Sequence, residues 1–190
     1  LLDTSQGLVL AATALSMHAL EGVQPGSVVD TLHQWADQVC RRVHSGNPEA
    51  VMAHLHEVLF EELRLHGDAG DYHRPEDSYL PCVLQTRRGL PITLTLIYKL
   101  VGERAGLTIE GVNAPGRFLA RVVLPGPQAP MLVDTFDGGR LLRAEEARAL
   151  VCRLTGLTPA QAVEMDLLPR ATHTQWIARM LNNLMAVFEA

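Results

Sequence analysis

Cysteine is scarce in this chain, and its spacing excludes two of the usual structural uses of the thiol. Cys40, Cys82 and Cys152 are odd in number and far apart among 190 residues. That pattern suits reduced thiols in a cytosolic protein rather than a disulfide scaffold. No CxxC pair occurs, which argues against a cysteine zinc site. A basic excess is also missing: 16 Lys and Arg stand against 21 Asp and Glu, for a net charge of −5 and a pI near 5.9. No basic face is therefore expected for nucleic acid. No apolar run is long enough to cross a bilayer, and no tetratricopeptide-length repeat is visible. An initiator methionine is absent too. The chain opens at Leu1, and an apolar helix pattern runs nearly to Ala190, as in a piece of a longer protein.

What is present is ample core material. Hydrophobic residues make up 47% of the chain, enough for one domain or one domain with a helical extension. At its centre, Gly89-Leu90-Pro91 leads into residues 91–101, apolar on nearly all sides, with Gly106 as the stop. Pro91 suits the first helical turn, where its missing N–H costs nothing. A helix apolar all round but too short for a membrane is a buried hub.

Three β-rich stretches follow, at 107–112, 117–124 and 131–136. The second and third are expected to pair as a hairpin. A turn centred on Pro125-Gly126 would place Arg117 opposite Asp134, whereas a longer loop ending at Pro130 would place Arg121 there. The sequence leaves this register open.

The first 65 or so residues read as all-helical. Residues 8–20 are small and aliphatic, and Pro25-Gly26-Ser27 breaks them, with Ser27 as the expected N-cap. Leu32, Trp35, Ala36, Val39, Cys40 and Val43 form a helical apolar stripe, which makes Cys40 a core residue. Asn47-Pro48 opens a third helix through Leu63. His54 and His56 fall on different faces, so His54, His56, His66 and His73 read as a solvated group rather than a metal set. Residues 67–77 are a loop carrying Asp68, Asp71 and Asp77, without EF-hand spacing and ending in an Asp77/Ser78 cap. A helix follows at 78–87, with Tyr79, Leu80, Val83 and Leu84 as its apolar positions. Beyond Gly138-Gly139, helices are expected at 144–154, after Thr158-Pro159-Ala160-Gln161, and at 173–188. In the last, Trp176, Ile177, Met180, Leu181, Leu184, Val187 and Phe188 share one face and read as core.

The stretch YHRPEDSYLPCVLQTRRGLPITLTLIYKLVGERAGLTIEGVNAPGRFLARV, followed by MLVDTFDGG, resembles the SirB-type transglutaminase-like family. That family's pattern is a Tyr, then Asn-Ser-Tyr-Leu, Arg-x-Gly-Ile-Pro-Ile-x-Leu, Gly-Val-x-x-Pro-Gly-His-Phe-Leu and Ile-Asp-Pro-Phe-x-Gly-Gly. About a third of the chain matches strongly, and the flanking helices agree more loosely. The resemblance implies a papain-like core whose enzymes carry a cysteine at the start of the central helix, a histidine on the next strand and an aspartate on the strand after. A helix N-terminus and an imidazolium lower the thiol pKa, and the carboxylate orients the imidazole. Here the helix start, Gly89-Leu90-Pro91-Ile92-Thr93, has no cysteine, the histidine position is Arg117, and Asp134 alone remains. A guanidinium stays protonated and cannot act as a general base.

These observations set the expectations. The fold class is α+β: a helical region over 1–66, a transglutaminase-like core over 67–142 with a small antiparallel sheet on the central helix, and C-terminal helices over 143–190. The leading functional expectation is a catalytically silent domain that binds a protein partner, in the cytoplasm, with no cofactor, nucleic acid or membrane. Arg117, Asp134, Tyr72, Asp77 and Tyr79 are its binding candidates. The alternative is a cysteine-dependent hydrolase or acyl transferase using Cys82, with Asp134 as the surviving triad member and His73 the nearest histidine in sequence. A third is a small-molecule or cation site built from Asp68, Asp71, Asp77, Arg117 and Asp134.

Overall fold

In the computed structural model, residues 2–68, 70 and 74–189 are described; Tyr72, Asp71 and His73, named above as candidates, lie outside them. The α+β expectation holds: helices surround a sheet whose strands are all antiparallel to their neighbours.

The hub is α5, Pro91–Arg104, with Pro91 in its first turn and Gly106 just past its end at φ +99°. Every residue from Pro91 to Lys99 is buried. Full burial of each large aliphatic such as Ile92, Leu94, Leu96 or Ile97 contributes about 1.5–3 kcal/mol. The one buried charged residue of α5, Lys99, is met by Glu103 and by the Ile109 carbonyl, 2.6 Å from Nζ. Packed around α5 are α1 (Ser5–Ala14), α2 (Pro25–Cys40), α3 (Pro48–His56), α4 (Leu80–Thr86) and the sheet.

The sheet runs β4-β3-β2-β1-β5, with β1 Thr108–Ala114, β2 Arg117–Val123, β3 Met131–Asp134, β4 Arg140–Leu142 and β5 Arg170–Ala171. Successive side chains point to opposite faces. Phe118, Ala120 and Val122 of β2 join the core around α5. Leu119 joins Leu132, Leu142 and, from α6 (Ala144–Thr155), Ala147, Leu150 and Val151 on the other face. Both sheet faces are thus covered. After α6 come α7, Pro159–Glu164, with the expected Thr158/Gln161 capping box, and α8, His173–Phe188.

Several local expectations are corrected. Pro25 takes the first turn of α2, so Gln24 is the N-cap and Ser27 hydrogen-bonds back to the Gln24 carbonyl at 2.7 Å. α1 ends at Ala14, before a run of turns. Cys40, the last residue of α2, is exposed, with its Sγ 3.7 Å from the Arg104 carbonyl at the end of α5. Asp77 ends a 3-10 turn, Pro75–Asp77, and the N-cap of α4 is Tyr79. The third strand stops at Asp134 and Thr135–Asp137 form a 3-10 turn. On α8 Trp176, Met180 and Leu184 are buried, but Leu181 and Phe188 are exposed. Edge strands β4 and β5 have three and two residues, too few to show an alternation in the sequence.

The expected third helix changes type at Glu57, where Glu57–Glu62 form a π-helix. It carries Phe60 across the ring of Tyr98, centroids 6.1 Å apart, with His56 edge-on to both. His56 Nε2 lies 2.9 Å from the Tyr98 hydroxyl. His56 is therefore no solvated surface histidine: burial pushes its pKa down to about 4. The phenol of Tyr98, on the buried hub, is pushed upward by the same cause.

Two measurements follow from this packing. A Cβ at Gly111 on β1 would sit 2.3 Å from the Trp176 ring of α8. Gly111→Ala is expected to lower the free energy of unfolding by about 2 kcal/mol, as overpacking does, seen as a lower urea midpoint at unchanged slope. For His56 the folded value lies below the unfolded one, so the unfolded state binds the extra proton. Stability is then full above about pH 6.5 and falls by about 3 kcal/mol as pH drops to about 4. His56→Gln should flatten that part of the stability–pH curve; an unchanged slope would count against this assignment.

Candidate functional site

The site is built on the face of the sheet that looks toward α6. In the observed register Ala120 pairs with Val133, Arg121 with Leu132 and Val122 with Met131. Neither expected pairing occurs, because the connection between the strands takes up residues 124–130 and the register follows the buried alternation. Continued by one step, the register sets Leu119 against Asp134, with Arg117 on the diagonal, a separation that a long side chain spans. Arg117 Nε does reach Asp134 Oδ2, at 3.6 Å. Arg121 instead faces Glu110 across β1, 3.6 Å away, and donates to the Leu168 carbonyl at 2.8 Å.

Asp134 is 2% exposed. Its Oδ1 accepts from the Phe136 amide at 3.2 Å, which starts the 3-10 turn. Burial raises its carboxyl pKa above the ordinary value, and the Asp137 charge adds in the same sense; Arg117 and the Phe136 and Asp137 amides oppose that rise without cancelling it. The Arg117 guanidinium lies over the Phe136 ring, 4.4 Å from its centroid. Gly67 closes against the other side of this turn: its amide donates to the Phe136 carbonyl at 3.1 Å, and a Cβ there would overlap the ring at 2.1 Å.

Arg117, Asp134, Phe136 and Gly67 line a cleft of about 480 Å³ with Asp137, Arg140 and Leu142 from the sheet edge. Its opposite wall is α6, through Glu146, Ala149, Leu150 and Arg153. Those four positions follow the i, i+3, i+4, i+7 rule of one helix face. Their spacing was visible in the sequence; that this face meets β2 was not.

The other candidates lie elsewhere. Asp77 is buried and accepts from Arg88 Nε at 3.1 Å, while Arg88 Nη1 reaches Asp68 at 3.0 Å. The two carboxylates thus hold a guanidinium, and the Asp77 carbonyl accepts from the Leu90 amide at the start of α5. Among the described residues no three acidic, histidine or cysteine side chains converge as a metal set. Tyr79 is buried, its hydroxyl 3.2 Å from His18 Nε2. Cys82, half-buried on α4, is absent from the cleft lining, and burial with Glu76 and Asp77 nearby pushes its thiol pKa up. At the start of α5, Thr93 is fully buried with no hydrogen-bond partner for its hydroxyl among the described residues, and it too is absent from the cleft lining.

The buried pair predicts a pH-dependent mutant phenotype. Asp134 holds its proton to higher pH folded than unfolded, so its titration favours folding at low pH, and that contribution is lost as pH rises through the raised value. Arg117→Met removes the opposing cation and steepens this loss. At neutral pH the variant should be about 2–3 kcal/mol less stable, with the deficit shrinking toward about pH 4. Arg117→Met combined with Asp134→Asn should recover most of it. Chemical denaturation across pH decides; an equal deficit at both ends would contradict the pairing.

Comparison with known proteins bears on the same residues. A UPF0162 protein of Xylella fastidiosa is 38% identical over 138 residues, 72% of this chain and 48% of its own length. A UPF0162 protein of Pseudomonas aeruginosa is 36% identical over 117 residues, 62% of this chain and 41% of that one. F-box only protein 21 of Mus musculus is 30% identical over 107 residues, 53% of this chain and 17% of that one. The chain therefore spans about half the length of the bacterial relatives it matches. No solved structure matches it. The sequence profile of the transglutaminase-like superfamily matches residues 26–182, from the first turn of α2 to within α8 and across every cleft residue, and the chain belongs to that superfamily.

Proposed function

We propose that this chain is a SirB-type transglutaminase-like domain that performs no thiol chemistry and works in the cytoplasm as a protein-interaction or regulatory module. The observation that carries this reading is the Arg117–Asp134 pair, 3.6 Å apart on the face toward α6, at the positions where the enzymes carry histidine and aspartate. A permanently protonated guanidinium cannot take a proton from a nucleophile. The helix start offers Thr93 in place of cysteine. The thiol nearest in sequence to that start, Cys82, has its pKa moved in the wrong direction: a nucleophile needs a thiolate, and burial with two neighbouring acids disfavours one. The cleft remains a lined concavity with charged walls, which serves recognition.

The test is thiol reactivity against pH, by alkylating the folded protein and mapping Cys40, Cys82 and Cys152 by mass spectrometry. Cys82 should react more slowly than exposed Cys40 and only above the ~8.5 of a free cysteine. Fast reaction of Cys82 at neutral pH, together with a thioester or amide turnover abolished by Cys82→Ser, would establish the competing cysteine-dependent hydrolase or acyl transferase.

A further inference from the structure

The cleft has an unmet demand for an anion. The Arg117 side chain is 13% exposed, and its Nε has no hydrogen-bond partner among the described residues. Asp134 at 3.6 Å offers attraction without a hydrogen bond. A guanidinium carries five N–H donors and no acceptor, and the described residues give this one only an ion pair and the face of Phe136. The Phe136 ring lies 4.4 Å from this guanidinium, whose planar fork of donors suits a planar oxyanion.

The acids of the cleft, by contrast, are already engaged. Asp134 accepts from the Phe136 amide. Glu146 accepts from the Arg143 amide at 2.7 Å in the capping box of α6. Asp137 pairs with Arg140 at 3.7 Å. From the α6 wall, Arg153 is exposed and no ion pair or hydrogen bond holds it among the described residues. Besides Arg140, which pairs with Asp137, two guanidiniums thus line one cleft, Arg117 half-buried and Arg153 exposed.

We propose that this cleft is a carboxylate-recognition site, in which a peptide carboxylate is held by Arg117 on β2 and Arg153 on α6. The proposal rests on the binding reading above and names its ligand chemistry. The cleft balances Arg117, Arg140 and Arg153 against Asp134, Asp137 and Glu146. A phosphate, with a charge near −1.5 to −2, would meet those carboxylates; a carboxylate brings a single negative charge. Leu142, Ala149 and Leu150 give the adjoining methylenes an apolar wall. The carboxylate can come from a chain terminus or from an acidic side chain.

Calorimetric titration of the purified protein tests this with acetyl-trialanine bearing a free carboxylate, the same peptide as its amide, an amidated acetyl-Ala-Glu-Ala, and inorganic phosphate. At least one free-carboxylate peptide should bind at least tenfold tighter than the all-amide peptide and tighter than phosphate, and the better of the two assigns the source. Arg117→Met and Arg153→Met should each weaken it at least tenfold. Arg153 is exposed, so that variant should melt with the wild type and keeps the test valid if Arg117→Met folds poorly. Equal binding of acid and amide, tighter binding of phosphate, no binding of any probe, or binding unchanged in Arg153→Met would overturn the proposal. Turnover lost in Cys82→Ser would instead sink the silent-domain reading and leave the carboxylate result standing.

Discussion

A helix buried on every side from Pro91 to Lys99 obliges the rest of the chain to enclose it, and α5 imposes that constraint here. Its start has to be held, because the first N–H groups of a helix have no partners of their own. The Asp77 carbonyl takes the Leu90 amide, and Asp77 is held in turn by Arg88, which also reaches Asp68. The acidic loop therefore secures the hub. From the far end of the sequence, Trp176 of α8 donates its indole N–H to the Ile92 carbonyl at 3.3 Å and covers the space that Gly111 leaves open.

The alternation at the end of β3 sends neighbouring side chains to opposite faces of the sheet. Thr135 turns toward the hub, where its hydroxyl lies 2.9 Å from that of Thr95 in the buried interior. Asp134, one residue earlier, turns toward α6 and Arg117. The hydroxyl pair ties the 3-10 turn to α5, and the turn in turn sets Phe136 beneath Arg117. Electrostatics at the cleft thus rest on a purely structural contact on the opposite face of the sheet.

The π-helical segment joins the same arrangement from the other side. Phe60 fills the space beside Gly139, where φ is +78° and a Cβ would come within 2.3 Å of the ring. Only glycine accepts both the left-handed backbone and that approach. His56 and Tyr98 complete the packing with one hydrogen bond, at the cost of keeping the imidazole neutral. The Gly138-Gly139 turn that shapes the cleft rim is consequently set by a ring from residues 57–62, far away in sequence.

Some of this was legible in the residues alone. Pro91, Gly106 and an apolar circumference specify α5, since a helix that can face only core has no other solution. β-rich composition specifies β1 to β3, and the sequence shows Arg117 where the resemblance implies histidine, with Asp134 kept. The register was not legible, because turn length and core fit decide it jointly. Nor was the diagonal geometry by which Arg117 reaches Asp134, the burial of His56, or the place of Arg153 in the cleft lining. Each of these depends on which face of one element meets which face of another. Periodicity fixes a residue's face on its own helix or strand, but only tertiary packing decides what that face touches, and the charges in the cleft take their properties from that contact.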